Sequence, residues 1–388
     1  MDIVRAAGER EIVFVYDSTN PVSAALAPVL RGLGTPLDRA SLPDDDLAVA
    51  LAGVGGVVSF SEPLVRLAND LARRLGTAAN PPRTAEALTD KIIQREVLNE
   101  QGVSVIRATR VGIDNYAAAA EVVGFPAVLK PASGSASRRV RLVRNEEELR
   151  VAVERDRDRF LLEELLVGMP HPSADWLGDY VSVETVSDYG SHRAFCVTDK
   201  RPLGTLFRER GFVVPSRLPD ALREEAVSLT IRALFALGVT TGVSHTELKL
   251  SPEGPRIIEV NGRLGGSIHR LLSRVTNVNP VELALDVSAG MSVDPNPAFS
   301  HHAATVYILP PEGVHRISRL RAVPELMAAD GVWAVDGLYS VGDVVGSAAG
   351  SLSRVQTIAV EAADPDALHA RLEAAEHLGY SGACFEPL

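Results

Sequence analysis

The fold is decided by two stretches that lie close together in the sequence, HTELKL at residues 245–250 and RIIEVNGRLGG at residues 256–266. Polar and apolar residues alternate in both, which is typical of β-strands with one polar face. Side chains two positions apart share a face of a strand. We therefore expect His245, Glu247 and Lys249 on one face of the first strand.

The link between the two strands, residues 251–255, is rich in turn-forming residues and predicts an antiparallel hairpin. If this five-residue link closes symmetrically, Glu247 lies opposite Glu259. His245 then lies opposite Asn261. Two carboxylates with Cβ atoms about 5 Å apart repel each other unless a proton or a cation lies between them. Such oxygen ligands with a nearby amide favour Mg²⁺ or Mn²⁺, whereas the alternative is a solvated hairpin face with ordinary charges.

The second strand ends in a glycine-rich tail, residues 261–266, which argues against an ordinary hairpin face. Arg263 in this tail lies beside the exposed backbone amides that Gly265 and Gly266 would supply. A guanidinium next to free amides is suited to binding an anion. The tail therefore predicts an anion site beside the two glutamates.

A second candidate anion site lies at Lys130, the last residue of a candidate buried strand over residues 125–130. The small-residue loop PASGSAS follows it at residues 131–137. A lysine at the end of a strand can hold a phosphate by charge while loop amides surround it. The loop is neither a P-loop nor a Gly-x-Gly-x-x-Gly motif, and a plain surface loop is the alternative interpretation.

Composition limits the class of protein. The chain has 388 residues, of which 46% are hydrophobic and 23% are charged, as in folded proteins. With 39 basic and 50 acidic residues the net charge is −11, which disfavours nucleic acid as a partner. The longest uncharged stretches, residues 47–61 and 295–311, are unsuited to crossing a membrane. Cys196 and Cys384 lie far apart, which is typical of a reducing cytoplasm, and the charged start of the chain lacks a secretory pattern.

The order of predicted elements suggests three regions. Residues 1–82 alternate short strands, including residues 57–60, with helices and predict an α/β lobe with parallel strands. Residues 83–295 contain both candidate sites. Their strands Tyr180–Ser187 and Arg193–Thr198 alternate apolar and polar residues, as antiparallel strands with one solvated face do. Residues 296–388 predict a third, β-rich lobe.

Four motifs follow one another between about residues 80 and 290. They are Thr89-Asp90-Lys91 with Arg95, Phe125 to Pro131, Leu162-Glu163-Glu164, and the Glu247/Glu259/Asn261/Arg263 block. In this order they resemble the motifs of the ATP-grasp superfamily. The lobes before and after them are similar to those of its carboxylate–amine ligase branch, which includes L-amino acid ligases and carnosine synthase. The resemblance implies an ATP-grasp fold with a Rossmann-like first lobe.

The resemblance also implies which residues bind ATP. Two lysines would contact its phosphates, the loop serines would support them, and a strand with the residues after it would present backbone and carboxylate groups to adenine and ribose. One further glutamate would face the nucleotide. The two lysines are Lys91 and Lys130, and the loop serines are Ser135 and Ser137. The residues of the strand and its continuation are Glu163, Glu164 and Leu166, and the further glutamate is Glu184.

The same resemblance implies the metal and substrate sites. Glu247 and Glu259 would hold two Mg²⁺ ions, Mn²⁺ being possible instead, with Asn261 on the second ion. Arg263 would stabilise an acyl-phosphate. The amides of Gly265 and Gly266 would hold the substrate carboxylate, and Glu209, in a stretch similar to Phe-x-Glu-x-Gly-His-x-x-Pro-Ser of the ligases, would hold the substrate amine.

Two residues depart from the family pattern. Arg139 stands where the phosphate loop usually has a glycine, so closure of that loop over ATP is expected to differ. Phe212 replaces the histidine of the ligase stretch and makes the acceptor pocket more apolar. Residues 125–198 are expected to close over the site as a lid.

The activity that these features imply is ATP-dependent formation of an amide from an amino acid and an amine through an acyl-phosphate. The alternatives are an ATP-grasp carboxylase or thioester-forming ligase, and a non-catalytic ATP-binding module. The expected partners are small-molecule substrates, with no nucleic acid and no membrane, and a homodimer is left open. The expected location is the cytoplasm.

Overall fold

The computed structural model describes residues 2–156 and 158–388. Its first region contains a two-stranded parallel sheet between short helices, as expected for an α/β lobe. The elements are α1 (Asp2–Ala7), β1 (Val13–Tyr16), α2 (Pro21–Arg31), β2 (Thr35–Asp38), α3 (Asp44–Ala50) and α4 (Val65–Leu75). The helix α4 ends at Gly76, which adopts a left-handed conformation with φ +71°.

The strand predicted over residues 57–60 does not form. Val58 and Phe60 instead pack against the buried core beneath the large sheet, and Val57 packs on the core of the first region. A Cβ on the preceding Gly56 would lie 2.5 Å from the backbone of Ser288, so the chain passes very close to that backbone. The apolar run is therefore buried against other elements without a partner strand.

The first part of the second region, residues 82–164, forms a small antiparallel sheet in the order β3-β6-β4-β5. Its elements are α5 (Pro82–Ala87), α6 (Lys91–Glu100), β3 (Ala108–Val111), α7 (Tyr116–Val123), β4 (Ala127–Pro131), β5 (Arg141–Val143), α8 (Glu146–Arg155) and β6 (Phe160–Glu164). Alternate residues of β4 point to opposite faces. Ala127 and Leu129 pack in the core with α7 and α8, whereas Val128 and Lys130 face a cavity.

The second part of this region, residues 180–288, supplies most of an eight-stranded sheet whose order is β11-β10-β7-β8-β9-β12-β16-β14. Its own elements are β7 (Tyr180–Asp188), β8 (Ser191–Lys200), β9 (Phe212–Val214), α9 (Asp220–Ala236), β10 (Gly242–Ser251), β11 (Gly254–Asn261), α10 (Ile268–Val275) and α11 (Pro280–Ser288). Every residue of β7 is buried, so the predicted solvated face of this strand is wrong. Helices α9 and α11 both pack on β7, which explains why alternation did not mark a surface.

The C-terminal region extends the same large sheet and adds a three-stranded one, β15-β13-β17. Its elements are β12 (His302–Ile308), β13 (Val314–Arg319), α12 (Val323–Met327), β14 (Val332–Gly337), β15 (Val344–Gly346), β16 (Gln356–Ala362), α13 (Pro365–Gly382) and β17 (Cys384–Pro387). Because β12 hydrogen-bonds to β9, the large sheet continues across the predicted boundary at residue 295.

The two sheets also divide the segment that was predicted as a lid. The small sheet ends with β6 at Glu164, whereas β7 and β8 belong to the large sheet. The domain boundaries remain predictions. Within the described part of the chain, no helix combines the length and the apolar character that crossing a bilayer requires.

Candidate functional site

A cavity of about 780 Å³ lies between the small sheet, the β10–β11 hairpin, the first region and the C-terminal region. Its size is within the range of small-molecule sites. The predicted site residues line it, with Glu184 as the exception. They are Lys91, Lys130, Ser135, Ser137, Glu163, Glu164, Leu166, Glu209, Glu247, Glu259, Asn261, Arg263, Gly265 and Gly266.

The hairpin brings Glu247 opposite Glu259, and His245 opposite Asn261, as predicted. The assumed route to this register is wrong, however. Only two residues link the strands, because Ser251 already pairs with Gly254, which has φ +102°. A register shift between Glu247 and the next residue then restores the predicted pairing.

Each of the two opposed glutamates has a cationic neighbour. Nζ of Lys91 lies 2.7 Å from Oε1 of Glu259 and donates to the carbonyl oxygen of Gly134 at 2.6 Å. Burial would lower the pKa of Lys91, but the surrounding carboxylates, led by Glu259, raise it above its usual value. Lys91 is therefore a firmly charged group that connects the hairpin to the phosphate loop.

Glu247 is half-buried in the same cavity and is paired with His245, whose Nε2 lies 3.3 Å from its Oε1. Burial opposes ionisation, but the hydrogen bond from His245 and the charges of Lys200 and Arg263 lower the pKa of Glu247 to about 2. Glu247 is consequently available as an anionic oxygen ligand.

The predicted contact of Glu184 with the nucleotide is not supported. Glu184 is fully buried on β7, outside the cavity wall, and its Oε1 lies 2.7 Å from Nδ1 of His245. Burial lowers the pKa of His245, but Glu184 outweighs it and the pKa rises to about 9. A Cβ on Gly265 would lie 2.5 Å from Nδ1 of His245, so this glycine also makes room for the ring. Glu184 therefore orients the His245 ring from the side that faces away from the cavity.

The donor set fits a hard divalent cation that shares its coordination with phosphates. Two carboxylates and the amide of Asn261 offer oxygen ligands on one face of the hairpin. Among residues 2–156 and 158–388, no group of three or more His, Cys, Asp or Glu side chains is arranged to hold a metal. Mg²⁺ commonly takes one or two carboxylates and completes its shell with water and substrate phosphates, so the set is sufficient.

Lys130 faces the cavity from β4 and is held by Glu163 on β6, at 2.5 Å between Nζ and Oε2. Arg95 occupies the other oxygen of Glu163 at 2.7 Å. Burial opposes ionisation, but Lys130 and then Arg95 lower the pKa of Glu163 to about 2. Because both oxygens of Glu163 are engaged, its carboxylate positions Lys130, and its contact with the nucleotide stays a prediction.

The phosphate loop after Lys130 is held in an unusual conformation. Ala136, Ser137 and Arg139 all have positive φ, at 59°, 56° and 58°. The backbone N–H of Ser351 donates to the carbonyl oxygen of Ala136 at 2.8 Å, so the C-terminal region closes over the loop. Arg139 forms an ion pair with Asp158 and does not line the cavity.

Arg263 has a partner that the sequence did not reveal. Its Nε lies 2.7 Å from Oε2 of Glu62, a residue of the first region that is only 6% exposed. Burial is the main reason that the pKa of Glu62 is raised. Glu62 begins a short 3₁₀ turn before α4 and belongs to no motif, so only the folded chain identifies it.

The predicted amine-binding residue, Glu209, is fixed by a buried lysine. Nζ of Lys200 lies 3.2 Å from Oε1 of Glu209 and 4.1 Å from the centre of the Phe212 ring. The Phe212 ring in turn meets Tyr307 edge to face at 5.6 Å. A Cβ on Gly266 would lie 3.5 Å from the Phe212 ring. This end of the cavity is therefore aromatic, and Phe212 forms part of its wall.

The chain is similar to known proteins in sequence and in fold. A profile described as "ATP-grasp domain" matches residues 123–270. The uncharacterized protein y4rH of Sinorhizobium fredii is 33% identical over 245 residues, which cover 60% of this chain and 47% of that protein. Alanine–anticapsin ligase of Bacillus subtilis is 27% identical over 259 residues, which cover 61% of this chain and 54% of that protein.

The crystal structure of an L-amino acid ligase from Bacillus licheniformis superimposes with a TM-score of 0.80 at 20% identity, covering 100% of this chain and 95% of that one. The chain spans about half the length of the curated relatives that it matches. The predicted resemblance to the ATP-grasp superfamily is confirmed: the chain has the ATP-grasp fold, and its residues 123–270 match that family's domain.

Proposed function

We propose that the protein is an ATP-dependent ligase that joins the carboxylate of an amino acid to an amine and releases ADP and phosphate. The observation that carries this proposal is the opposition of Glu247 and Glu259 in one cavity with Lys91 and Lys130. A non-catalytic nucleotide site has no need for two opposed carboxylates beside these lysines. Arg263, at the end of the same hairpin, gives the site a group for a second reaction step.

The nucleotide is assigned to the end of the cavity near the small sheet. Lys91 and Lys130 would hold its phosphates, and the phosphate loop with Ser135 and Ser137 would surround them. The backbone from Glu163 to Leu166 would bind adenine and ribose. Both lysines are held in place by glutamates, so binding ATP requires little ordering of their side chains.

A divalent cation, Mg²⁺ or Mn²⁺, is assigned to Glu247, Glu259 and Asn261. When bound there, it would neutralise charge on the phosphate oxygens. Glu247 and Glu259 would keep their positions through the hairpin register, and Lys91 would remain beside the transferred phosphoryl group.

The reaction has two steps. In the first, an oxygen of the substrate carboxylate bonds to the γ-phosphorus of ATP, the bond to the β-phosphate oxygen breaks, and ADP leaves. In the second, the amine nitrogen bonds to the carbonyl carbon of the acyl-phosphate, the phosphate leaves, and the nitrogen loses a proton. Arg263 would stabilise the charge that develops on the attacked carbonyl oxygen.

The acyl-phosphate must be kept from water between the two steps. The hydrogen bond from Ser351 to Ala136 supports a role for the small sheet, residues 108–164, in closing the cavity. Strands β7 and β8, which the sequence assigned to the lid, are fixed in the large sheet. The proposed lid is therefore shorter than the sequence predicted.

The names of the relatives support an amino acid as the carboxylate substrate, since one is an alanine–anticapsin ligase and the superimposed structure is an L-amino acid ligase. Assembly into a homodimer stays a prediction, which sedimentation in solution would test.

The direct test is a screen of amino-acid pairs with ATP and Mg²⁺ that measures ADP and phosphate release and identifies the product by mass. We expect ADP release that requires both an amino acid and an amine. Release that depends on bicarbonate or a thiol would indicate a carboxylase or a thioester-forming ligase. Calorimetric ATP binding without turnover in any mixture would indicate a binding module and contradict the proposal.

A further inference from the structure

Arg354, in the C-terminal region, lines the cavity but has no role in the function proposed above. Its Nε donates to Oγ1 of Thr357 at 3.2 Å, and its Nη1 donates to the carbonyl oxygen of Ser351 at 3.1 Å. Its guanidinium lies 4.9 Å from the centre of the Tyr307 ring. Two hydrogen bonds and an aromatic face therefore fix the position of this group.

The charge of Arg354 is not neutralised by the protein. Lys91, Lys130 and Arg263 each lie within 3 Å of a glutamate. Arg354, by contrast, forms no ion pair within the part of the chain that the structure describes, and its Nη2 donates no hydrogen bond there. A positioned guanidinium with free donors facing a cavity is suited to binding a carboxylate with two parallel hydrogen bonds.

An opposite charge lies nearby but is kept separate. Ser351 connects the two groups, because its Oγ accepts from the backbone N–H of Glu209 at 2.9 Å while its carbonyl oxygen accepts from Arg354. The carboxylate of Glu209 is held by Lys200. Glu209 and Arg354 form no ion pair with each other among the described contacts. The cavity wall thus presents the carboxylate of Glu209, held through one oxygen by Lys200, and the guanidinium of Arg354 as separate groups.

We propose that Arg354 binds the carboxylate of the amine-bearing substrate, so that the acceptor is an amino acid with a free carboxylate. The inference rests on the proposed ligase function. Arg354 is held by the C-terminal region, whereas the carboxylate to be phosphorylated must lie at the hairpin with Glu247 and Glu259. Arg354 and the hairpin belong to different elements of the cavity wall, so each can hold a carboxylate of its own. Arg354 therefore calls for a second carboxylate, and the acceptor is the remaining substrate.

The test measures the step that uses the donor carboxylate separately from the step that uses the acceptor amine. Acyl-phosphate formation is measured alone by trapping with hydroxylamine, and amide formation is measured with an amino acid and with the corresponding amine that lacks the carboxylate. The variants are Arg354→Gln and Arg354→Lys. The matched control is Arg150→Gln, which removes an exposed arginine on α8 that pairs with Glu147 and Glu154.

We expect Arg354→Gln to lower kcat/KM for the amino-acid acceptor by about 10- to 100-fold, the range for a lost charge-assisted hydrogen bond. Hydroxamate formation and kcat/KM for the carboxylate-free amine should stay within about threefold, as they should for all reactions of Arg150→Gln. Arg354→Lys should give an intermediate loss, because it keeps the charge without the planar fork.

Three results would overturn the inference. Equal losses with both acceptors would mean that Arg354 has a structural role. A loss in hydroxamate formation would assign Arg354 to the donor. Equal use of both acceptors by the unaltered protein would mean that no acceptor carboxylate is recognised, while the ligase function stands. Absence of ADP release by the unaltered protein with every pair would instead contradict the proposed function.

Discussion

Glu247 and Glu259 are direct partners in the antiparallel register of the β10–β11 hairpin, and the hairpin points both side chains into one cavity. His245 pairs with Glu247, and Lys91 pairs with Glu259. Like charges that are brought together in this way are stabilised by cations. The hairpin therefore holds two carboxylates close together, and a separate cationic side chain stabilises each of them until a divalent ion binds.

Replacing Glu259 by glutamine should abolish turnover while the fold persists. The substitution keeps the size of the side chain and a hydrogen-bond acceptor for Lys91 but removes one anionic ligand. We expect ADP release to fall by at least about 100-fold, as for loss of a group that stabilises transferred charge. Thermal unfolding measured in parallel should shift by only a few degrees. Activity like that of the unaltered protein would remove Glu259 from the metal site.

Arg263→Ala should reduce turnover far more than nucleotide affinity, because Arg263 is assigned to the acyl-phosphate. We expect the dissociation constant of ADP to change by less than about threefold while kcat falls about 100-fold. Since the substitution leaves Glu62 buried without its ion-pair partner, stability must be measured as well. The double variant Glu62→Gln/Arg263→Ala should recover stability but not turnover. Equal losses of affinity and turnover would contradict the assignment.

Gly211→Ala should destabilise the protein without acting on any charged group. Gly211 has φ +147°, and a Cβ there would lie 1.9 Å from the carbonyl oxygen of Thr305. We expect the free energy of unfolding to fall by about 1–3 kcal/mol, measured by urea titration. Gly55→Ala is the matched control, because a Cβ at Gly55 meets nothing within 4 Å. Equal stability of the two variants would mean that the backbone at residue 211 yields easily.

The Lys130–Glu163–Arg95 group predicts a specific pH dependence of stability. The pKa of Glu163 is lowered to about 2 in the folded chain from a usual value of 4.5. Its stabilising contribution is therefore complete above about pH 5 and is lost as pH falls toward 2. The difference in free energy of unfolding between the unaltered protein and Glu163→Gln should be constant from pH 7 to 5 and shrink below pH 4.5. A difference that does not change with pH would refute the ion-pair role of Glu163.

Much of the site could be predicted because its residues lie within short, regular segments. Glu247 and Glu259 are only twelve positions apart, so strand periodicity and one turn suffice to bring them together. The turn itself was misjudged, since two residues close it and a bulge compensates. Local periodicity thus predicted the shared face, and the predicted partners were right only because the bulge offset the error in the link.

The remainder depends on neighbours that are distant in the sequence. Arg263 is paired with Glu62, and Arg354 packs on the ring of Tyr307. These residues are too far apart in the sequence for strand or helix periodicity to predict their contact. Glu184 was expected at the nucleotide from the family resemblance, but burial of both faces of β7 places it behind His245. Alternating polarity cannot distinguish a solvated face from one that is covered by other elements of the fold.

The most direct measurement of the central claim is the binding of Mn²⁺ in the presence of ADP, followed by electron paramagnetic resonance. The control is Glu253→Gln, an exposed residue in the turn of the same hairpin. We predict that the unaltered protein and this control bind Mn²⁺ with the same affinity, and that Glu247→Gln and Glu259→Gln each weaken binding at least about tenfold. Unchanged Mn²⁺ affinity in both cavity variants would contradict the account.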